Sequence, residues 1–348
     1  MTARDLTADE AFRAEVRQFL QDELTPELRA EGRRNAGIFS DYDAGNGWHR
    51  VLAKRGWSVP HWPVEWGGTG WTPMQHYIFA SECILAGAPA RAPQGPSMVA
   101  PVLFKYGTQA QKDQWLPAIR TGDDYWAQGY SEPGSGSDLA SLQCRAVREG
   151  DHYVINGTKI WTTHAHFANR IFCLVRTSTT GKPQQGISFL LFDMDQPGIT
   201  VRPIISISGD HELNQVFFDD VRVPASALLG QENQGWTIAK YLLVHERGGA
   251  YTPAMRARLA RLQAMAAAGP PAPLQSTAPG ALAAPPVVNA QPAEPLLING
   301  FTTTTLGWLP WLPTVDVATA TPEQLAALDA MNASARQSPY FLLLAHQP

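Results

Sequence analysis

The sequence predicts an α+β protein. It has an N-terminal α-helical domain over residues 1–122, a middle β-barrel or sandwich domain over 123–232, a helix over 233–268, and an irregular Pro/Ala-rich tail over 269–348. Three observations predict this. Apolar residues recur at helical spacing from Phe12 to Arg120. Short segments rich in β-formers, separated by Gly, Asn and Asp, occupy 125–218 and lack a βαβ rhythm. The tail holds 13 of the 28 prolines, no Lys, and Arg336 as its only Arg, a composition that forbids long helices.

Taken in order, Thr7 and Glu10 form a capping box ahead of Phe12, Val16, Phe19, Leu20 and Leu24, and Pro26 marks the end of that amphipathic helix. A short helix is expected over Trp48–Arg55. The prolines, glycines and four tryptophans of GWSVPHWPVEWGGTGW (residues 56–71) exclude one regular element. Helices follow over Met74–Ala86, Ser97–Tyr106 and Gln109–Arg120. Strands are expected over Tyr125–Ser131, Cys144–Arg148, Tyr153–Ile155, Ile160–Thr163, Ile171–Arg176, Ile187–Phe192 and Gln215–Phe218. Turns are expected at Glu149–Asp151, Asn156–Gly157 and Asp219–Asp220. One helix, kinked at Pro253, is expected from Gly235 to Ala268. A further helix is expected near Pro322–Ala335.

The composition narrows the function. A net charge of −4 without a dense Lys/Arg cluster argues against nucleic acid. Cys83, Cys144 and Cys173 form neither a metal pattern nor a disulfide framework and are expected to be reduced thiols. No signal core or apolar run of membrane length is present, so a soluble cytoplasmic protein is expected. Gly134 and Gly136 lie between two strands. A dinucleotide fingerprint needs a helix after them.

Four stretches stand in order. They are Tyr106–Gly107–Thr108 with Gln111–Lys112 and Trp115–Leu116–Pro117; GYSEPGSGSD (residues 129–138); NGTKIWTT (156–163); and VFFDDVRVP (216–224). Each alone reads as a polar loop or a core strand. Together, at these spacings, they resemble the acyl-CoA dehydrogenase family. The resemblance implies FAD as cofactor and acyl-CoA as substrate. It also implies an electron-transfer flavoprotein as acceptor and a homo-oligomer, while the charge and the lack of a membrane-length run lead one to expect no nucleic-acid or membrane partner. It assigns cofactor binding to Gln128, Tyr130, Ser131, Ser137, Trp161, Thr162 and Thr163. The Tyr130 backbone and Ser131 hydroxyl would meet the pyrimidine edge. Ser137 would serve the pyrophosphate and the acyl-CoA. Trp161 would cover the flavin face away from substrate, with Thr163 near the hydride-accepting nitrogen. A Gly/Ser/Pro loop suits this, because its backbone N–H groups can converge on phosphate oxygens. Glu132 and Asp138 are expected to brace backbone rather than titrate.

The implied reaction is α,β-dehydrogenation to a trans-2-enoyl-CoA, which needs a carboxylate base in a dry site. Most family members carry that base in the C-terminal bundle. A minority place a Glu before an Arg in the helix after the β-domain, and here those positions are Glu246 and Arg247. Glu246 is therefore the candidate base and Arg247 a candidate substrate contact. Glu246 shares a helix face with Ala239, Leu243 and Ala250, whose apolar character is expected to raise its pKa. A surface Glu paired with Arg247 or Arg256 is the alternative; His245 is expected to be structural. The tail after about Ala268 does not resemble the family's helical bundle, which puts the oligomer in doubt for this chain. Its composition suggests translation in a shifted frame. An inactive binding module and an acyl-CoA oxidase are the competing functions. No metal site is expected.

Overall fold

One stripe of α1 (Leu6–Glu23) starts the first core. Phe12, Val16, Phe19 and Leu20, with Leu24 just beyond, are buried against Trp48 and Leu52 of α3 (Tyr42–Arg55), Trp57, and Ile78 and Phe79 of α4 (Pro73–Ala86). The computed structural model describes residues 6–34, 40–207, 209–246, 251–268, 296–298 and 301–303. Arg13 and Arg17 of α1 tie this helix to the buried Glu82 of α4 at 2.6 and 2.8 Å.

Several helical limits differ from expectation. Thr7 stands inside α1, which begins at Leu6. Pro26 opens a further helix, α2 (Pro26–Arg34), because a proline at the first helical position forfeits an N–H that had no partner anyway. α3 starts at Tyr42 rather than Trp48. Residues 56–71 are irregular apart from one turn at Val64–Trp66, and Trp57 and Trp62 are buried anchors. A wide π-helical turn, Gln94–Val99, leads into α5 (Ala100–Tyr106). Reciprocal Thr/Gln caps start α4 (Thr72, Gln75) and α6 (Gln109–Thr121; caps Thr108, Gln111).

The middle region is one curled sheet of β1 (Trp126–Gly129), β2 (Arg145–Glu149), β3 (His152–Lys159), β4 (Arg170–Arg176), β5 (Ile187–Asp193), β6 (Ile199–Ile204) and β7 (Leu213–Pro224). The strand order is β1-β4-β2-β3-β7-β6, and β5 lines the other edge of β4. β1 runs parallel to β4, Trp126 facing Arg170. The alternating sides of β4 feed two cores. Ile171, Cys173 and Val175 pack with Leu190, Phe192, Val216 and Phe218. Phe172 and Leu174 pack with Phe189, Leu191 and the helices, including Leu103, Leu116 and Ile119. Burial on both sides is why β4 reads as a continuous apolar run.

Two expected turns are strand interior. Asn156 and Asp220 lie in β3 and β7 and bond each other across the pair, Nδ2 to Oδ1 at 2.9 Å and Asp220 N–H to Asn156 Oδ1 at 3.0 Å. The register shifts between Ile155 and Gly157. Gly157 takes φ +148°, and a Cβ there would stand 2.7 Å from Cys144 Cα. The turn-forming residues therefore build a bulge. Ile160–Thr163 is a loop rather than a strand, since Trp161 adopts φ 59°. β6 was not anticipated.

The expected long helix is two helices, α7 (Gly235–Glu246) and α8 (Tyr251–Ala268). Pro253 lies in the first turn of α8, where proline is tolerated. Gly235 seats α7 on β5: a Cβ there would lie 2.5 Å from the Ser188 carbonyl carbon. Ile238, Ala239 and Leu242 then enter the core of Phe189 and Leu191.

Packing divides the chain after Pro270. In the second unit, β8 (Leu296–Ile298) and β9 (Phe301–Thr303) pair as an antiparallel hairpin. The helix expected near Pro322–Ala335 lies outside the described residues. No described helix is long and apolar enough to cross a membrane. The three cysteines are free thiols.

Candidate active site

Alternation along β1 turns Trp126, Gln128 and Tyr130 to one side. The Tyr130 ring packs against Phe172 and Phe189 at 5.9 and 6.3 Å. The polar loop that follows is braced from below. Glu132 and Ser135 exchange backbone hydrogen bonds at 2.7 and 3.0 Å. The buried Glu132 carboxylate accepts from the backbone N–H groups of Gln143 (2.6 Å) and Cys144 (2.9 Å). Lys159, fully buried at the end of β3, donates to Glu132 Oε1 at 2.7 Å and to the Tyr130 carbonyl at 3.1 Å. Ser135 and Ser141 hydroxyls both donate to the Asp138 carbonyl. Glu132 therefore holds backbone.

The second wall is the loop after β3. Ile160 N–H donates to the Ser131 carbonyl at 2.9 Å, so the two loops are stitched together. Trp161 stands 56% exposed. Thr162 N–H donates to the Asn214 carbonyl, and His164 N–H donates to the Glu212 carbonyl.

These walls meet Gln94 and α7 around a cleft of about 460 Å³ lined by Gln94, Gln128, Tyr130, Ser131, Gly136, Ser137, Leu139, Ile160, Trp161, Thr163, Trp236, Leu243 and Glu246. Seven of the residues singled out from sequence thus line one concavity: Gln128, Tyr130, Ser131, Ser137, Trp161, Thr163 and Glu246. Thr162 does not, because its side chain is buried beneath the loop. Arg247 lies outside the described residues. Glu246 is exposed at the end of α7, so the described residues do not surround it with the apolar shell expected for it. Gln94, Leu139 and Trp236 were missed. Gln94 sits between Pro93 and Gly95 in an unpatterned stretch, and nothing in the sequence marked it.

Two buried polar atoms of lining residues lack a hydrogen-bond partner, Gln94 Oε1 and Tyr130 Oη. Burial, reinforced by the Glu246 charge, pushes the Tyr130 hydroxyl well above its ordinary pKa. It stays a neutral donor near the carboxylate. Side chains added at Gly134 or Gly136 would meet nothing within 4 Å, so the loop backbone is open to a ligand. An exposed indole, an open Gly/Ser loop and orphaned polar atoms in one cleft fit a flavin nucleotide. Among the described residues no cluster fits a metal ion.

Residues 7–123 match the family model for the acyl-CoA dehydrogenase N-terminal domain, and residues 127–221 match the one for its middle domain. The chain belongs to the acyl-CoA dehydrogenase family. Acyl-CoA dehydrogenase IpdE1 of Mycobacterium tuberculosis (strain ATCC 25618 / H37Rv) is 40% identical over 69% of this chain and 63% of its own length. Acyl-CoA dehydrogenase FadE29 of the same organism is 38% identical over 70% and 62%. The chain therefore spans less than two thirds of these curated relatives. Among solved structures, the Tcur3481-Tcur3483 steroid ACAD superposes with a TM-score of 0.68 at 35% identity, covering 77% of this chain and 69% of that one. The acyl-CoA dehydrogenase of Geobacillus kaustophilus gives 0.57 at 30%, covering 71% and 63%.

Proposed function

We propose that this chain carries the flavin-facing half of an enzyme that oxidises an acyl-CoA thioester to its trans-2-enoyl form. The observation supporting this is the gathering of Ser131, Ser137, Trp161, Thr163 and Glu246 around one cleft from three separate segments. FAD would be held by the Gly/Ser loop, the Ser131 hydroxyl and the Trp161–Thr163 loop, and when bound it accepts the β-hydride. Glu246 takes the α-proton. Tyr130, neutral and buried in the same cleft, keeps a hydroxyl without a protein partner that a bound ligand could engage. Leu243 and Trp236 of α7 present apolar surface to the acyl chain. The similarity to a steroid ACAD supports adding steroid-derived acyl-CoA to aromatic, branched and dicarboxylyl chains in the substrate panel. An electron-transfer flavoprotein would take the electrons; peroxide release in air would point to the oxidase instead.

The test is absorbance of the purified chain with FAD, before and after anaerobic addition of the acyl-CoA panel. Bleaching of the flavin band by one acyl class is expected. Failure to bind FAD at all would leave the inactive binding module as the better reading. Where bleaching occurs, Glu246→Gln should slow it by about 10²–10⁴-fold with flavin still bound. A loss under about tenfold would place the base elsewhere.

A further inference from the structure

Behind the Trp161 loop, on the side away from the cleft, lies a polar cluster that the flavin reading does not use. Asn214 of β7 is fully buried at 0% exposure. Its Nδ2 donates to the Thr162 carbonyl at 3.0 Å and lies 2.9 Å from His166 Nδ1. Its Oδ1 lies 2.8 Å from His211 Nε2. The imidazoles of His166 and His211 stack at 3.8 Å.

The hydrogen-bonding inventory fixes the orientation of every group. A carbonyl oxygen only accepts, so Thr162 O requires the amide nitrogen of Asn214 and not its oxygen. The second Nδ2 hydrogen then points to His166 Nδ1, which must be bare. Asn214 Oδ1 accepts, so His211 Nε2 must carry a proton. The amide is fully bonded, and it can be so only while His166 Nδ1 is unprotonated.

The consequence for the cleft follows from peptide geometry. In a trans peptide the C=O and the following N–H point in opposite directions. Holding Thr162 C=O toward Asn214 turns the Thr163 N–H the other way, to the side where Thr163 lines the cleft. Thr162 N–H is held to the Asn214 carbonyl as well, so one residue grips both sides of Thr162.

We propose that Asn214, locked by the stacked His166–His211 pair, is a positioning residue that aims the Thr163 N–H and side chain at the flavin ring. The proposal rests on the flavin reading of the cleft. It also gives the site an acid limit. Burial, with the charges of His211 and His164 adding, pushes His166 down to about 4. The groups facing the cluster are His164, whose Nδ1 meets the Tyr125 hydroxyl at 2.7 Å, Phe167, and Glu212 and Asp210 on the strand approach. Burial and Asp210 raise the Glu212 carboxyl, and Asp41 acts on His164. Protonating His166 puts a hydrogen where Asn214 Nδ2 already donates, and the clamp opens.

The test uses the whole chain. Asn214→Asp keeps the shape and replaces the donating amide with an acceptor-only carboxylate, which cannot hold the Thr162 carbonyl. His166→Asn keeps an acceptor near the Nδ1 position and cannot titrate. Hydrogen exchange at the amides of Thr162 and His164, read without flavin, should quicken by about tenfold or more in Asn214→Asp. Its FAD affinity should fall by about tenfold, with a shifted flavin band, at unchanged far-ultraviolet circular dichroism. In the unaltered chain FAD affinity should hold as pH falls from 6.5 and decline as pH approaches and passes about 4, where the folded His166 titrates, and His166→Asn should flatten that decline. Asn214→Asp with unaltered FAD affinity and band position overturns the proposal, whatever its exchange rates. A pH profile identical in His166→Asn overturns the histidine part. Absence of FAD binding by the unaltered chain instead overturns the flavin reading, and this role with it, so the two failures are told apart.

Discussion

The two halves of the cleft are built on different terms. The β-domain wall is over-determined: a buried Lys159–Glu132 pair, two backbone donors to the same carboxylate and a buried Asn214 hold two loops in place. The α7 wall carries Glu246 on an exposed helix end, beside Leu243, which is only half-buried. The β wall is a fixed surface built from the residues between β1 and β7. The helical wall is the less buried of the two, and the proposed base is its most exposed lining residue. Rigidity sits on the wall proposed to aim the ring, and the proposed proton-transfer group stands on the looser wall.

Lys159→Met probes the first half most severely. It leaves a buried carboxylate without its cation, and unfolding in urea should show a loss of about 3–5 kcal/mol. A loss below about 1 kcal/mol would mean that the pair is not a brace and would erase the contrast. Gly157→Ala comes next. The new Cβ would meet Cys144 backbone at 2.7 Å in a left-handed conformation, so a loss of about 1–3 kcal/mol is expected.

Acid gives a third handle. Burial pushes both His49 and His166 down to about 4. Below the ordinary histidine value near 6.5 the unfolded chain binds these protons and the folded chain does not. Stability is therefore full above about 6.5 and falls progressively toward pH 4, where the folded histidines titrate. Urea midpoints at pH 7, 6, 5 and 4 would show this, and His166→Asn should remove part of the slope. The smallest effect belongs to the other half. Glu246→Gln should shift stability by no more than about 0.5 kcal/mol, as for an exposed side chain outside any network. A larger loss would reveal a structural role and weaken the contrast from its helical side.

Much of the helical domain is legible in the sequence because its signals are local. The stripe Phe12, Val16, Phe19, Leu20, Leu24 is a period, and every member is buried. Likewise β4 and β5 are apolar runs long enough to read. What failed to read was set by partners far along the chain. Asn156–Gly157 and Asp219–Asp220 look like turns until each is seen bonded to the other across a bulge. NGTKIWTT gave Trp161 and Thr163 as site residues by resemblance. It did not show that a loop replaces the strand, because the clamp on Thr162 comes from Asn214. Gln94 lines the cleft from a π-helical turn that has no sequence period.

The parallel pairing of β1 with β4 has a consequence for how the molecule comes into being. Adjacent parallel strands need a long connection, and here that connection holds the Gly/Ser loop and the Trp161 loop. β1 has no partner until β4 is made, and β4 is flanked in turn by β5. During synthesis from the N-terminus, Gln128, Ser137 and Trp161 all leave the ribosome before the strand that brings them together. Closing so distant a contact is entropically slow. A nascent chain stopped short of β4 thus contains most of the side chains proposed to face the ring without the strand that brings their loops together.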